Sequence, residues 1–187
     1  MGKQLDSMAD VVTFGVLPGL IWKAMMEYHG YCPPDRFCIN GYIWLLIPLA
    51  AGYRLAKFNI DTRQTTGFLG IPTPITGLVL GSFAWMSYNL GNPGDVWFID
   101  KPLIDVRPVF NSFWVWLYMP LLAAYMMVSD LPMLAMKFSA NDPLRKYKLS
   151  LVGLAIPCAL FGSAGFIVFY FLYIIVSLLA NFANKSN

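Results

Sequence analysis

Charge is what this chain has least of. Of its 187 residues 12% are Asp, Glu, Lys or Arg and 58% are hydrophobic, whereas a soluble domain carries roughly 25% charged residues. That balance excludes a large soluble domain, and the mean hydropathy of +0.58 points to a polytopic membrane protein. The net charge of +3 is small and its bases are dispersed over short loops, which argues against nucleic acid as a partner. There is one histidine, His29, and the three cysteines form no Cys/His cluster, so a zinc site is not supported. Asp6 and Asp10 interrupt the N-terminal stretch where a secretory leader needs a continuous apolar core. Long polar and low-complexity segments are also missing, so residues 1–187 read as a single membrane domain.

What is present is a series of apolar runs of the ~17–25 residues that a crossing needs. They fall at Val11–Tyr28, Gly41–Phe58, Thr73–Leu90 and Phe110–Val128. The last run, Leu149–Phe182, is too long for one crossing, and Gly162-Ser163-Ala164-Gly165 offers a tight turn within it. The expected fold is therefore an all-α, polytopic transmembrane helical bundle of about six helices. Lys3, Arg54, Lys57, Arg63, Lys137, Arg145, Lys146, Lys148 and Lys185 lie in segments that alternate spans place on one side. The other loops hold Arg36 alone, or Lys101 and Arg107 diluted by Asp95, Asp100 and Asp105. The positive-inside rule then puts the N-terminal acids on the cytoplasmic side. Cys32 and Cys38 fall outside, where both a disulfide and two unpaired thiols fit.

Gly2, Asp6 and Asp10 are spaced by four, directly before the first apolar run. On a helix such positions share one face. Acids this close to hydrocarbon mark a functional site by default. Two carboxylates one turn apart suit a divalent cation and a phosphate, although N-terminal acids favoured by the helix dipole explain the same spacing.

The string from Gly2 to Gly19, Gly-Lys-Gln-Leu-Asp-Ser-Met-Ala-Asp-Val-Val-Thr-Phe-Gly-Val-Leu-Pro-Gly, resembles the signature of CDP-alcohol phosphatidyltransferases, in the form typical of the phosphatidylserine synthase branch. Tyr53–Asn59, Gly67–Pro74 and the stretch from Leu122 to Phe138 resemble the same branch. The resemblance implies that Asp6 is a metal ligand and that Asp10 is both a metal ligand and the catalytic base. Gly2 would keep the helix face open for the nucleotide. It implies two Mg2+ or Mn2+ ions, CDP-diacylglycerol and L-serine as substrates, and phosphatidylserine and CMP as products. It also implies an integral protein of the bacterial inner (cytoplasmic) membrane whose active site faces the cytoplasm. The family signature begins upstream with Asp-x2-Asp-Gly-x2-Ala-Arg, and this sequence contains no Asp-Gly pair. The expectation is that Met1 is internal to a longer parent and that these residues alone are inactive.

Arg54 is a candidate for binding the lipid-linked phosphate or the serine carboxylate, since arginine grips such groups bidentately. Ordinary interfacial anchoring explains Arg54 and Lys57 as well. Gly67, Gly70, Pro72 and Pro74 read as a structural turn into the third span, and Asp130 as a partner of Lys137 or Arg145. The aromatic residues near span ends, among them Trp22, Tyr42, Trp44, Trp85, Tyr88, Trp97, Trp114 and Trp116, read as interfacial belts. Gly15 and Gly19 allow close helix contact, within the bundle or between copies in a homodimer. Another acceptor, such as glycerol 3-phosphate or inositol, and a non-catalytic bundle or small transporter are the alternative functions.

Overall fold

The structure, a computed structural model, describes residues 2–32, 38–60, 68–91, 106–134 and 144–186. Its helices are α1 (Gly2–Val11), α2 (Leu17–Tyr28), α3 (Leu46–Ile60), α4 (Thr73–Gly91), α5 (Arg107–Phe110), α6 (Phe113–Val128), α7 (Arg145–Leu160) and α8 (Gly162–Ser186). A π-helical turn, Val12–Val16, joins α1 to α2, and a 3-10 segment, Ile39–Leu45, leads into α3. Strands β1 (Phe68–Leu69) and β2 (Pro132–Met133) form an antiparallel pair. The protein is an all-α membrane bundle, as the apolar runs predict. Among the described residues, Gln4–Tyr28 (25 residues) and Gly162–Ala183 (22 residues) are long and apolar enough to cross a membrane, and Phe113–Val128 is a shorter apolar helix. The terminal run breaks at Phe161, where Gly162 takes φ +57°, and α7 folds back along α8.

The π-helical turn has a local cause. Pro18 follows it, and a proline ring clashes with the carbonyl four residues back, here that of Phe14. Widening the turn relieves the clash. The Phe14 backbone then lies so close to α4 that a Cβ on Gly77 would sit 2.9 Å from the Phe14 oxygen. Gly15 and Gly19 are used within the chain. A Cβ on Gly15 would meet Ala51 at 3.0 Å, and one on Gly19 would meet Trp44 at 3.0 Å. Of the two contacts their spacing allows, the intramolecular one is observed.

Helix ends gather into two groups. At one end Asn59 Nδ2 donates to Ser7 Oγ (3.1 Å), tying α3 to α1, and Lys57 Nζ pairs with Asp130 Oδ1 (2.6 Å), tying α3 to the residues after α6. Of the partners expected for Asp130, Lys137 lies outside the described residues; Lys57 is a partner that the sequence did not suggest, brought there because α3 packs along α6. At the opposite end His29 Nε2 meets Ser87 Oγ (2.8 Å), Tyr31 Oη donates to the Asn111 carbonyl, and Cys32 and Cys38 form a disulfide. Arg54, Lys57, Arg145, Lys146 and Lys148 thus fall at the end that holds α1.

Trp22 and Trp116 correct the interfacial-belt expectation. Both are fully buried in the core cluster at the disulfide end, Trp22 stacked on Phe83 and Trp116 edge-on to it. Their indole N–H groups are satisfied by backbone: Trp22 Nε1 donates to the Trp116 carbonyl (3.0 Å) and Trp116 Nε1 to that of Phe110 (2.6 Å). Trp85 and Trp114 are exposed and fit a belt, while Trp97 lies outside the described residues.

Gly70 sits at φ +72°, and a Cβ there would lie 2.9 Å from the Ser129 carbonyl oxygen, with that of Met127 closer still. Gly70→Ala is expected to destabilise the protein by about 1–3 kcal/mol, whereas Gly81→Ala, where a Cβ meets nothing within 4 Å, is expected to be neutral or stabilising. Thermal denaturation in detergent micelles measures both.

His29 supplies a pH test. Burial lowers its pKa below the usual histidine value, so the fold favours the neutral ring. Its contribution is present above the unfolded pKa of about 6.5 and is lost as pH falls through the lower folded value. The Tm should drop on acidification below about pH 6.5, and His29→Gln should flatten that drop.

Candidate functional site

α1 carries Gly2, Asp6 and Asp10 along one face, each about 6 Å apart in helical rise. Gly2 and Asp6 are exposed and Asp10 is half-buried. A Cβ at Gly2 would meet nothing within 4 Å, so packing does not require glycine there. Ser7, on the neighbouring face, holds α1 against α3 through Asn59.

Behind Asp10 stands Arg54. It is 6% exposed and interacts electrostatically with Asp10 and with Tyr173 of α8. The structure therefore sets Arg54 within electrostatic range of Asp10, whereas Gly2 lies two turns away at the exposed start of α1. Lys57, one turn beyond Arg54, is engaged with Asp130.

Three polar side chains that the sequence reading passed over shape the floor of this end. Tyr173, Ser177 and Asn181 recur every four residues on α8 and so share a face. Tyr173 Oη donates to the Leu134 carbonyl (3.0 Å), the Leu134 N–H donates to Ser177 Oγ (3.4 Å), and Asn181 Nδ2 donates to the Pro132 carbonyl (2.9 Å). They hold β2, and β2 holds β1, with Gly70 N donating to the Leu131 carbonyl (2.9 Å) and Ile71 N to that of Met126 (3.1 Å). The available signal was the period of four, masked by the apolar residues around it. Thr73 was also passed over. It is fully buried at the first position of α4, and its hydroxyl has no hydrogen-bond partner among the described residues. The flanking Pro72 and Pro74 had drawn a purely structural reading.

Among the described residues no group of three or more His, Cys, Asp or Glu side chains could hold a metal. Asp6 is exposed and Asp10 half-buried, one turn apart on the same face. One or two carboxylates completed by substrate phosphates and water is how magnesium is commonly held, so the pair fits as the protein's share of such a site.

Fold and site together define an all-α membrane protein with an acidic helix face and a buried arginine at one end of the bundle. Within that class the chain is similar, over part of its length, to proteins named as phosphatidylserine synthases. It is 36% identical over 84 residues to CDP-diacylglycerol–serine O-phosphatidyltransferase of Bacillus subtilis, covering 43% of this chain and 42% of that protein. It is 35% identical over 83 residues to archaetidylserine synthase of Methanothermobacter thermautotrophicus, covering 44% and 32%. A longer match, 27% identical over 168 residues, joins it to CDP-diacylglycerol–serine O-phosphatidyltransferase of Mycobacterium tuberculosis, covering 85% of this chain and 50% of that protein. These matches span half or less of the relatives' own length. No family model matches the chain, and no solved structure matches it.

The α8 clamp makes a direct prediction. Tyr173→Phe removes the hydroxyl that meets the Leu134 carbonyl and is expected to cost about 1 kcal/mol. Amide exchange should accelerate at Leu69, Gly70 and Met133 before it does in the cluster around Trp22; uniform acceleration would contradict a local role for the clamp.

Proposed function

We propose that the end of the bundle holding α1 transfers a phosphatidyl group from CDP-diacylglycerol to L-serine, giving phosphatidylserine and CMP, and that it faces the cytoplasm of a bacterial inner membrane. The observation that carries this reading is the electrostatic interaction of Asp10 with buried Arg54 beside an exposed Asp6, in a chain similar to proteins that bear the name of that reaction. The bases gathered at the same end support its cytoplasmic orientation.

In this reading the serine hydroxyl oxygen attacks the phosphorus that bears the diacylglycerol. The P–O bond to CMP breaks and CMP leaves with the bridging oxygen. Asp10 accepts the serine proton, as a carboxylate within reach of an attacking alcohol can. Asp6 and Asp10 would hold Mg2+ or Mn2+, two ions being expected in the intact site, and that charge would neutralise the pyrophosphate. Arg54, set behind Asp10, offers a bidentate grip to a phosphate or carboxylate. Its burial strengthens the grip, because water competes less there.

The test is CMP release from CDP-diacylglycerol in mixed micelles with Mn2+, run on the 187-residue chain. Release should require L-serine, should not be supported by glycerol 3-phosphate or inositol, and should fall at least about 100-fold in Asp10→Asn. Release that ignores both L-serine and Asp10 would sink the proposal. Release supported by glycerol 3-phosphate alone would reassign the acceptor.

A further inference from the structure

Thr73 presents a problem that packing does not solve. A buried hydroxyl normally finds a partner, and one left without costs stability that valine of the same shape would not. Thr73 is 0% exposed, and its Oγ1 has no partner among the described residues. Thr76, three residues on, shows the ordinary arrangement, with its hydroxyl donating to the Pro72 carbonyl (3.3 Å).

Helix register places the Thr73 hydroxyl. α1 and α4 both start at the end that holds Asn59 and the β pair, so they run in the same direction. Gly77 of α4 lies against Phe14, with its Cβ position 2.9 Å from the Phe14 oxygen. Stepping back one turn on each element sets Thr73 level with Asp10. On its other side α4 packs against α8, and Ile71, just before Thr73, shares a core cluster with Tyr173. Asp10 and Tyr173 are the two groups with which Arg54 interacts. Thr73 is thereby set at the level of the carboxylate with which Arg54 interacts, at the positive end of the 19-residue α4. Pro74 contributes no N–H to that first turn, so the Thr73 hydroxyl is a side-chain donor that can take its place there.

We propose that Thr73, Arg54 and the first turn of α4 form an anion subsite that accepts a carboxylate or phosphate oxygen, with the Thr73 hydroxyl donating to it. The inference deepens, and rests on, the reading of this end as a phosphatidyl-transfer site, because it assigns the subsite to the anionic group of a substrate. A carboxylate source is the acceptor amino acid, and a phosphate source is the lipid-linked pyrophosphate.

The test is calorimetric titration of the 187-residue chain in detergent micelles with L-serine and, separately, with inorganic phosphate. Wild type is compared with Thr73→Val and Thr73→Ser. Losing one hydrogen bond to a charged group should weaken binding about 10-fold or more in Thr73→Val. Thr73→Ser should stay within about 3-fold of wild type, and the Tm of Thr73→Val should be unchanged or higher. Phosphate binding that depends on Thr73, without L-serine binding, supports the subsite and counts against L-serine as acceptor. L-serine binding unaffected by Thr73→Val overturns the subsite and leaves the proposed reaction standing. Failure of wild type to bind either probe overturns the subsite.

Discussion

The hydrogen bonds between one face of α8 and the backbone of residues 132–134 are what the acidic end depends on. Chain that leaves a helix near a membrane edge carries polar groups that lipid cannot satisfy. Here Tyr173, Ser177 and Asn181 meet those groups, and the short β1–β2 pairing passes the restraint on to the segment that opens α4. Two connections that are far apart in sequence are thereby fixed relative to one helix. Arg54 stands against that helix through Tyr173, and Asp10 stands against Arg54.

The two ends of the bundle are built from different materials. The end holding the disulfide is an aromatic core, in which buried indoles close their N–H groups on backbone carbonyls and Trp22, Phe83 and Trp116 pack together. The acidic end has polar side chains where the other has rings, and it leaves Asp6 open to solvent. Rigidity at one end and accessible charge at the other is the distribution expected when a membrane protein supports a site at one surface.

Much of this was legible in residue order. Apolar runs located the helices, Gly162 marked the reversal between α7 and α8, and the spacing of Gly2, Asp6 and Asp10 put the acids on one face. These are local properties, set by helix period and by backbone freedom at glycine. The Cys32–Cys38 bridge stayed open in the sequence because spacing does not tell a bond from two thiols. The α8 clamp was hidden because Tyr173, Ser177 and Asn181 sit within a run whose mean character is apolar. Trp22 and Trp116 were misplaced because an aromatic residue near a helix end satisfies both a membrane interface and a buried contact.

By itself, the sequence determined the all-α membrane character, the helix positions and the acidic face, because each follows from patterns within a few turns of chain. Tertiary structure alone decided that Arg54 lies within electrostatic range of Asp10, that Lys57 pairs with Asp130, and that Thr73 is buried without a hydrogen-bond partner for its hydroxyl among the described residues. Those outcomes depend on which helix faces which, and that is set by close approaches such as Gly77 to Phe14 and Gly15 to Ala51. Such approaches join residues dozens of positions apart, and nothing local to either partner specifies them.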